Sequence, residues 1–289
     1  MEDQAPDWDE LAINPWKREE ILVTVKAYPN PSKKYIETVC VAGVTKDRKW
    51  VRLYPIPYRY LEYEQQFPTY GRIQANIRKS PKDPRPESYN IDINTLHVLG
   101  KLGTGDFWQE RRALLLPLVS PSVEALQEQQ EASKISLGLI RPKQIKRLVI
   151  QPKKDPHWSA EELAKIQQPS LLDEMQREDV HRIIRELEKI PYDFFYEFTC
   201  NDSRCRGHRI SIISWEVMES YRKWHQNYGD RWESKFREMY EQELPGPKHD
   251  FYFFMGTMRK HPKVWLIIGL FYPPSQQGNL IQPPLFEPF

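Results

Sequence analysis

Five short segments in the first hundred residues constrain the fold of this chain more than any other feature. The first three are rich in β-branched and aromatic residues and are separated by turn-forming stretches such as YPNPSKK and TKDRK, whereas the last two alternate apolar and polar residues. The predicted strands are 20–28, 35–44, 49–56, 72–79 and 89–100. We expect the first three to form an antiparallel meander, and all five to close a small β-barrel or sandwich.

Two helices are expected after these strands, at 106–116 and 120–133. The second segment opens with Ser120 as its N-cap and has Pro121 and Glu124 in its first turn. A small hydroxyl residue, a proline and an acidic residue in this order favour the start of a helix.

The rest of the sequence indicates how the chain divides. A strand at 145–152 closes a first domain of residues 1–152, and the polar segment 153–191 is interpreted as a helical connector. Residues 192–289 contain, in order, a β-hairpin, two helices and a second β-hairpin. The strands of this last hairpin are near-continuous apolar runs, which are typical of central strands. We therefore expect an α+β protein, with an antiparallel barrel followed by an α+β domain.

Composition narrows the class of protein. The chain has 289 residues, of which 28% are charged and 39% hydrophobic, as expected for a folded chain long enough for two domains. Its acidic first residues do not form a signal peptide, and no apolar run approaches the roughly 18 residues of a membrane helix. Three cysteines are too few for a disulfide framework. We expect a soluble, cytoplasmic protein.

A short loop between two apolar runs has the composition of a metal site. Cys200, Cys205 and His208 lie within nine positions, and thiolate and imidazole groups are the ligands that structural zinc prefers. A tetrahedral zinc ion needs a fourth ligand, and the candidates are His225, His249, His261 and Cys40. The alternative is a polar hairpin loop with two partly buried thiols and a histidine that bonds to the backbone.

Basic residues are clustered, although the formal net charge is only +2. The stretch 141–154 contains six lysines and arginines without an acidic residue, and further clusters lie at 72–85 and 204–209. Such clusters favour a polyanionic partner, whereas ordinary solvated faces are the alternative.

Several aromatic residues lie beside these cations, a combination that is typical of proteins that bind single-stranded RNA or DNA. Trp50 and Tyr54 are expected to stack on bases. The residues expected to contact phosphates are Arg52, Arg59, Arg78, Lys79, Lys146 and Arg147.

Residues 38–57, TVCVAGVTKDRKWVRLYPIP, contain a Cys-x-Ala-Gly strand, a short polar turn and then Trp-Val-Arg. This segment resembles the opening of bacterial domains described as dual OB folds, which are associated with nucleic acid. The resemblance implies an OB-like barrel with Trp50 and Arg52 near one face, in a prokaryotic-type nucleic-acid-binding protein.

Two other functions stay open at this point. The 198–209 loop and His249 could form the site of a metal-dependent enzyme that acts on nucleic acid or nucleotides, although no catalytic residue can be assigned. The proline-rich tail, residues 275–289, could instead dock in extended form onto a protein partner.

Overall fold

Thirteen strands in two sheets build the part of the chain that the structure describes. This computed structural model describes residues 14–28, 30–31, 37–58, 61–160 and 189–276. Most of the predicted connector, Arg59 and the tail from residue 277 onward lie outside these ranges.

The first sheet closes into a five-strand barrel. Its strands follow the order β1-β5-β6-β4-β3, and β1 also pairs with β3, which closes the ring. The pairing of β4 with β6 is parallel and the other barrel pairings are antiparallel, so the meander predicted for the first three long strands is confirmed. The short β2 continues the sheet from β3. The bounds are β1 (Lys17–Lys26), β2 (Asn30–Pro31), β3 (Glu37–Thr45), β4 (Trp50–Ile56), β5 (Gly71–Lys79) and β6 (Ser88–Lys101).

Burial in β1 shows how the barrel is covered on both faces. Ile21 and Val23 belong to the barrel interior, whereas Leu22 and Val25 belong to a second apolar cluster outside the barrel. The pairing with β3 shifts between Val23 and Val25, so Thr24 occupies a bulge, from which its hydroxyl donates to the Ala42 carbonyl at 3.2 Å. Because β1 is covered on both faces, its residues 21–25 are all apolar except Thr24.

The second sheet has seven strands in the order β7-β8-β12-β13-β11-β10-β9. Its strands are β7 (Val119–Ser120), β8 (Leu137–Ile140), β9 (Pro142–Pro152), β10 (Tyr192–Cys200), β11 (His208–Ile212), β12 (Tyr252–Met258) and β13 (His261–Phe271). The helices are α1 (Gly105–Leu115), α2 (Val123–Ser133), α3 (Trp215–Tyr228) and α4 (Trp232–Arg237), and α4 continues as a π-helix at Glu238–Glu243.

The seven-stranded sheet lies between the barrel and the helices α2, α3 and α4. Phe253 and Met255 face a cluster that includes residues of α2, α3 and α4, whereas Tyr252 and Phe254 face a cluster shared with the barrel. Because both faces are buried, β12 and β13 are central, as their apolar runs predicted. The protein is therefore a mixed α+β protein with three layers: barrel, sheet and helices.

The structure alters the expected start of α2. Ser120 was expected to be the N-cap, but it lies in β7, and Ser122 caps α2 by accepting the Ala125 N–H at 3.1 Å. The pairing of Val119 and Ser120 with β8 delays the start of the helix.

Residues 119–152 contribute β7, β8 and β9 to the seven-stranded sheet, because β8 pairs with β12 and β9 with β10. None of the helices in the described ranges has the length and apolar character that a membrane crossing requires.

Candidate functional site

A four-residue cluster brings the predicted metal loop together with α2. Cys200 ends β10, His208 begins β11, and Cys205 lies in the loop between these strands. Glu124 reaches them from the first turn of α2. One donor atom from each residue lies within 4.8 Å of the other three, so the group could hold a metal ion.

The contacts inside this cluster are short. His208 Nε2 lies 3.4 Å from Cys205 Sγ and 3.1 Å from Glu124 Oε1. The backbone N–H of Cys200 donates to Cys205 Sγ at 3.2 Å. Glu124 Oε2 is buried and has no hydrogen-bond partner within the part of the chain that the structure describes. A buried carboxylate oxygen without a partner is costly, and a cation would satisfy it.

Contacts with the N-terminus of α2 fix the loop in place. The Ser122 hydroxyl donates to Asp202 Oδ2 at 2.8 Å, and the Val123 backbone bonds to Cys200. Arg204 binds Asp202 at 2.9 Å and also contacts Glu128, one turn beyond Glu124. These bonds hold the ligand atoms in place independently of any ion.

Burial and neighbouring groups favour the neutral form of the Cys200 thiol. Burial raises the pKa of the Cys200 thiol to about 12, and the nearby Cys205 and Glu124 add to this rise. A metal ion would reverse the effect because it stabilises a thiolate more strongly than a thiol.

The expectation for the fourth ligand is wrong, because Glu124 completes the group and none of the four candidates belongs to it. The ring of His225 stacks on Tyr221, His249 contacts the Glu243 carbonyl, and His261 begins β13. Cys40 lies in barrel strand β3. The only sequence signal for Glu124 was its position in the first turn of a helix, which carries no information about a loop far along the chain.

Two of the predicted nucleic-acid contacts lie at the junction between the barrel and the second sheet. Arg52 is buried, and its guanidinium donates to the carbonyl and hydroxyl oxygens of Ser136 at 2.9 and 2.8 Å. Trp50 packs edge-on against Phe254 with the ring centroids 6.2 Å apart. These side chains join the two sheets, so neither is part of the surface proposed below.

Other predicted contacts gather at one end of the barrel. Arg78 stacks on the ring of Trp16 at 4.6 Å, and the Lys79 ammonium lies 4.1 Å from the centroid of Tyr89. Lys79 pairs with Tyr89 across β5 and β6, and Tyr89 pairs in turn with Leu53, the neighbour of Tyr54. We call Trp16, Tyr54, Arg78, Lys79 and Tyr89 the barrel rim.

The rim presents two rings and one cation to solvent, and Arg78 is half-buried beside Trp16. Trp16 is 40% exposed and Tyr54 is 48% exposed, and Lys79 is also exposed. Nearby, Lys17 lies 5.4 Å from the centroid of Tyr89, but it binds Glu19 at 2.7 Å. Trp16 and Tyr89 were not predicted as site residues, because only the strand register brings them to Arg78 and Lys79.

The remaining predicted contacts lie on the second sheet. Lys146 and Arg147 are exposed on β9, which is an edge strand, and Arg147 binds Glu197 at 2.7 Å. Arg59 lies outside the described residues.

The histidine of the predicted enzyme site has other contacts. His249 Nδ1 lies 3.2 Å from the Glu243 carbonyl oxygen, and the adjacent Asp250 binds both Arg112 and Arg141 at 2.9 Å. His249 is not part of the cluster of Glu124, Cys200, Cys205 and His208.

Two family models match successive parts of the chain, and their matches meet close to the start of β7. Residues 119–288 match the model of a domain of unknown function, DUF8757, and residues 17–117 match a second one, DUF8758. No curated protein matches the chain.

Proposed function

We propose that this chain, which belongs to the family of the domain of unknown function DUF8757, is a nucleic-acid-binding protein that holds a single strand on its barrel rim. The observation that carries this proposal is that two exposed rings, Arg78 and the exposed Lys79 lie together at one end of the barrel. Trp16 and Tyr54 offer apolar faces on which bases can stack, while Arg78 and Lys79 offer charges for phosphates.

The strand order supports an OB-like assignment for the barrel. An antiparallel meander of β1, β3 and β4 is followed by β5 and β6. Strand β5 pairs with β1, and β6 lies between β5 and β4, parallel to β4. This arrangement is a five-stranded Greek-key barrel, the architecture that OB folds use to bind oligonucleotides. The rim is made by β4, β5 and β6 together with Trp16, which precedes β1.

The composition of the rim favours a single strand. Stacking of one base on an aromatic ring contributes about 1–3 kcal/mol, and it requires a base that is not already stacked in a duplex. Because stacking does not read base edges, we expect little sequence preference and strong dependence on salt.

We also infer that the metal of the cluster is zinc. Two thiolates, an imidazole and a carboxylate all belong to the set of ligands that zinc accepts. Tetrahedral zinc with ordinary bond lengths would separate ligand N and S atoms by about 3.6 Å, and N and O atoms by about 3.4 Å. The corresponding distances are 3.4 Å from His208 to Cys205 and 3.1 Å from His208 to Glu124. Four protein ligands would leave no open position, so the zinc would be structural and would fasten the β10–β11 loop to α2.

A labelled single-stranded oligonucleotide tests the rim by fluorescence anisotropy. We expect the wild type to bind and the double variant Arg78→Gln/Lys79→Gln to bind about 10-fold or more weakly, because two phosphate contacts are lost. The matched control is Lys235→Gln. Lys235 is an exposed lysine of α4, not of the barrel, and it binds Glu238. Wild-type affinity in the double variant, or no binding by the wild type, would overturn the proposal.

Elemental analysis of the purified protein tests the zinc site separately. We expect about one zinc per chain in the wild type and in Cys40→Ser, and loss of the metal in Cys205→Ser. Cys40 is the matched control because it is also a free cysteine but lies outside the cluster. Equal zinc content in both variants, or none in the wild type, would contradict the assignment.

A further inference from the structure

The turn between β12 and β13 concentrates exposed cations and apolar side chains. In residues 258–264, which we call the hairpin tip, Arg259, Lys260 and Lys263 are all exposed. Met258 and Val264 flank them and are 45% and 50% exposed. Single exposed apolar side chains are ordinary on a protein surface, so the three cations are the feature that points to a partner.

The hairpin tip extends beyond the neighbouring strands of its sheet. The pairing of β8 with β12 ends at Gly256, and β11 pairs with β13 at Ile267. Residues 258–264 therefore form the end of a two-stranded ribbon that neither neighbouring strand flanks.

Hydrogen bonds attach the base of the tip to the barrel. Arg259 Nη1 donates to the Lys82 carbonyl at 2.6 Å, and Arg85 Nη1 donates to the Thr257 carbonyl at 2.6 Å. Arg85 is itself held by Asp83, with 2.6 Å between Nη2 and Oδ2. The barrel loop that follows β5 therefore fixes the direction of the ribbon.

The same loop joins the tip to the barrel rim. Lys79 ends β5 and belongs to the rim, and Lys82, which contacts Arg259, is exposed three residues later. Three residues span at most about 11 Å, which is about the rise of three base pairs. One nucleic acid could therefore contact the rim and the tip at once.

Lys260 and Lys263 of the tip are available for a ligand, whereas Arg259 binds the Lys82 carbonyl. Within the ranges that the structure describes, Lys263 is the only one of the three with a carboxylate within 4.0 Å, and its distance to Glu131 is 3.6 Å. Both side chains of that pair are mostly exposed, at 79% and 65%, so solvent weakens the interaction.

We propose that the hairpin tip binds duplex next to the single strand on the rim, so that the preferred ligand is a junction between single-stranded and double-stranded nucleic acid. The inference rests on the proposed function of the rim. A two-stranded ribbon fits the major groove of a duplex, and its cations can contact phosphates.

Anisotropy with three labelled probes tests this inference: a single strand, a blunt duplex and a duplex that carries the same single strand as an extension. The tip variant is Lys260→Gln/Lys263→Gln, which leaves the bond from Arg259 to the barrel intact, and Lys235→Gln is again the control. We expect the wild type to bind the extended duplex most tightly. In the tip variant this affinity should fall about 10- to 60-fold near 0.1 M salt, with single-strand affinity unchanged.

The outcomes separate the two proposals. If the wild type binds the single strand and the extended duplex equally, the role of the tip is refuted while the rim proposal stands. The same conclusion follows if the tip variant loses both affinities equally, because the tip would then not be specific for duplex. If the wild type binds the blunt duplex as tightly as the extended duplex and does not bind the single strand, the rim proposal fails and the junction preference fails with it.

Discussion

Replacement of Glu124 by glutamine tests whether the carboxylate is a metal ligand. The substitution keeps the size of the side chain and its position in the first turn of α2, but it removes the charge. Glu124 Oε2 is buried without a hydrogen-bond partner in the described part of the chain, and Oε1 lies 3.1 Å from His208 Nε2. Both observations are explained if the carboxylate binds a cation.

The expected loss of zinc affinity in Glu124→Gln follows from the number of ligands. Structural zinc binds peptides with about 10–16 kcal/mol, so each of four ligands accounts for about 2.5–4 kcal/mol on average. Loss of the carboxylate ligand should therefore weaken zinc binding by about 60- to 700-fold, since about 1.4 kcal/mol corresponds to a factor of ten.

Competition for zinc with a chromophoric chelator measures this affinity in the metal-free protein. The matched control is Glu131→Gln, because Glu131 lies two turns further along α2, is 65% exposed and is outside the cluster. We expect wild-type affinity in the control and the large loss only in Glu124→Gln. If the two variants bind zinc equally well, Glu124 is not a ligand and the four-ligand site is refuted.

Three further predictions concern the core and the rim. Phe194→Ala removes a fully buried ring that stacks on Phe236, so the free energy of unfolding in denaturant should fall by about 3–5 kcal/mol. The control is Tyr63→Ala, which should change this free energy by less than about 0.5 kcal/mol because Tyr63 is 86% exposed. In Gly43→Ala the new Cβ would lie within 3.0 Å of the neighbouring strand's backbone, so thermal unfolding should show a loss of about 1–3 kcal/mol, and no such loss is expected for Gly103→Ala. Tyr54→Ala should weaken single-strand binding by about 1–3 kcal/mol in anisotropy, measured on protein that circular dichroism shows to be folded.

Local patterns in the sequence predicted the strands of this protein well. In β5, Ile73, Ala75 and Ile77 alternate with more exposed residues because one face lines the barrel interior, and this alternation is visible in the sequence. The apolar runs of β12 and β13 marked them as central because each face of the sheet is covered by a different layer. When burial follows a regular pattern along a strand, the same pattern of apolar residues is visible in the sequence.

Features that depend on distant pairing could not be predicted in the same way. Arg52 and Trp50 follow a polar turn as surface residues would, but Ser136 and Phe254 from the second sheet cover them. Glu124 joins the metal loop only because the first turn of α2 lies against the β10–β11 loop, and no spacing rule connects the two segments. The cap of α2 was misplaced by two residues because Ser120 and Ser122 both precede the helix, and only strand pairing distinguishes them.

The salt dependence of single-strand binding tests the central claim most directly. The dissociation constant of a labelled single strand is measured over a series of salt concentrations for the wild type and for Arg78→Gln/Lys79→Gln. If both cations contact phosphates, the slope of log affinity against log salt should be shallower in the double variant by about 1.4, at about 0.7 for each contact. Equal slopes, or a wild type whose binding does not respond to salt, would contradict the account of the barrel rim.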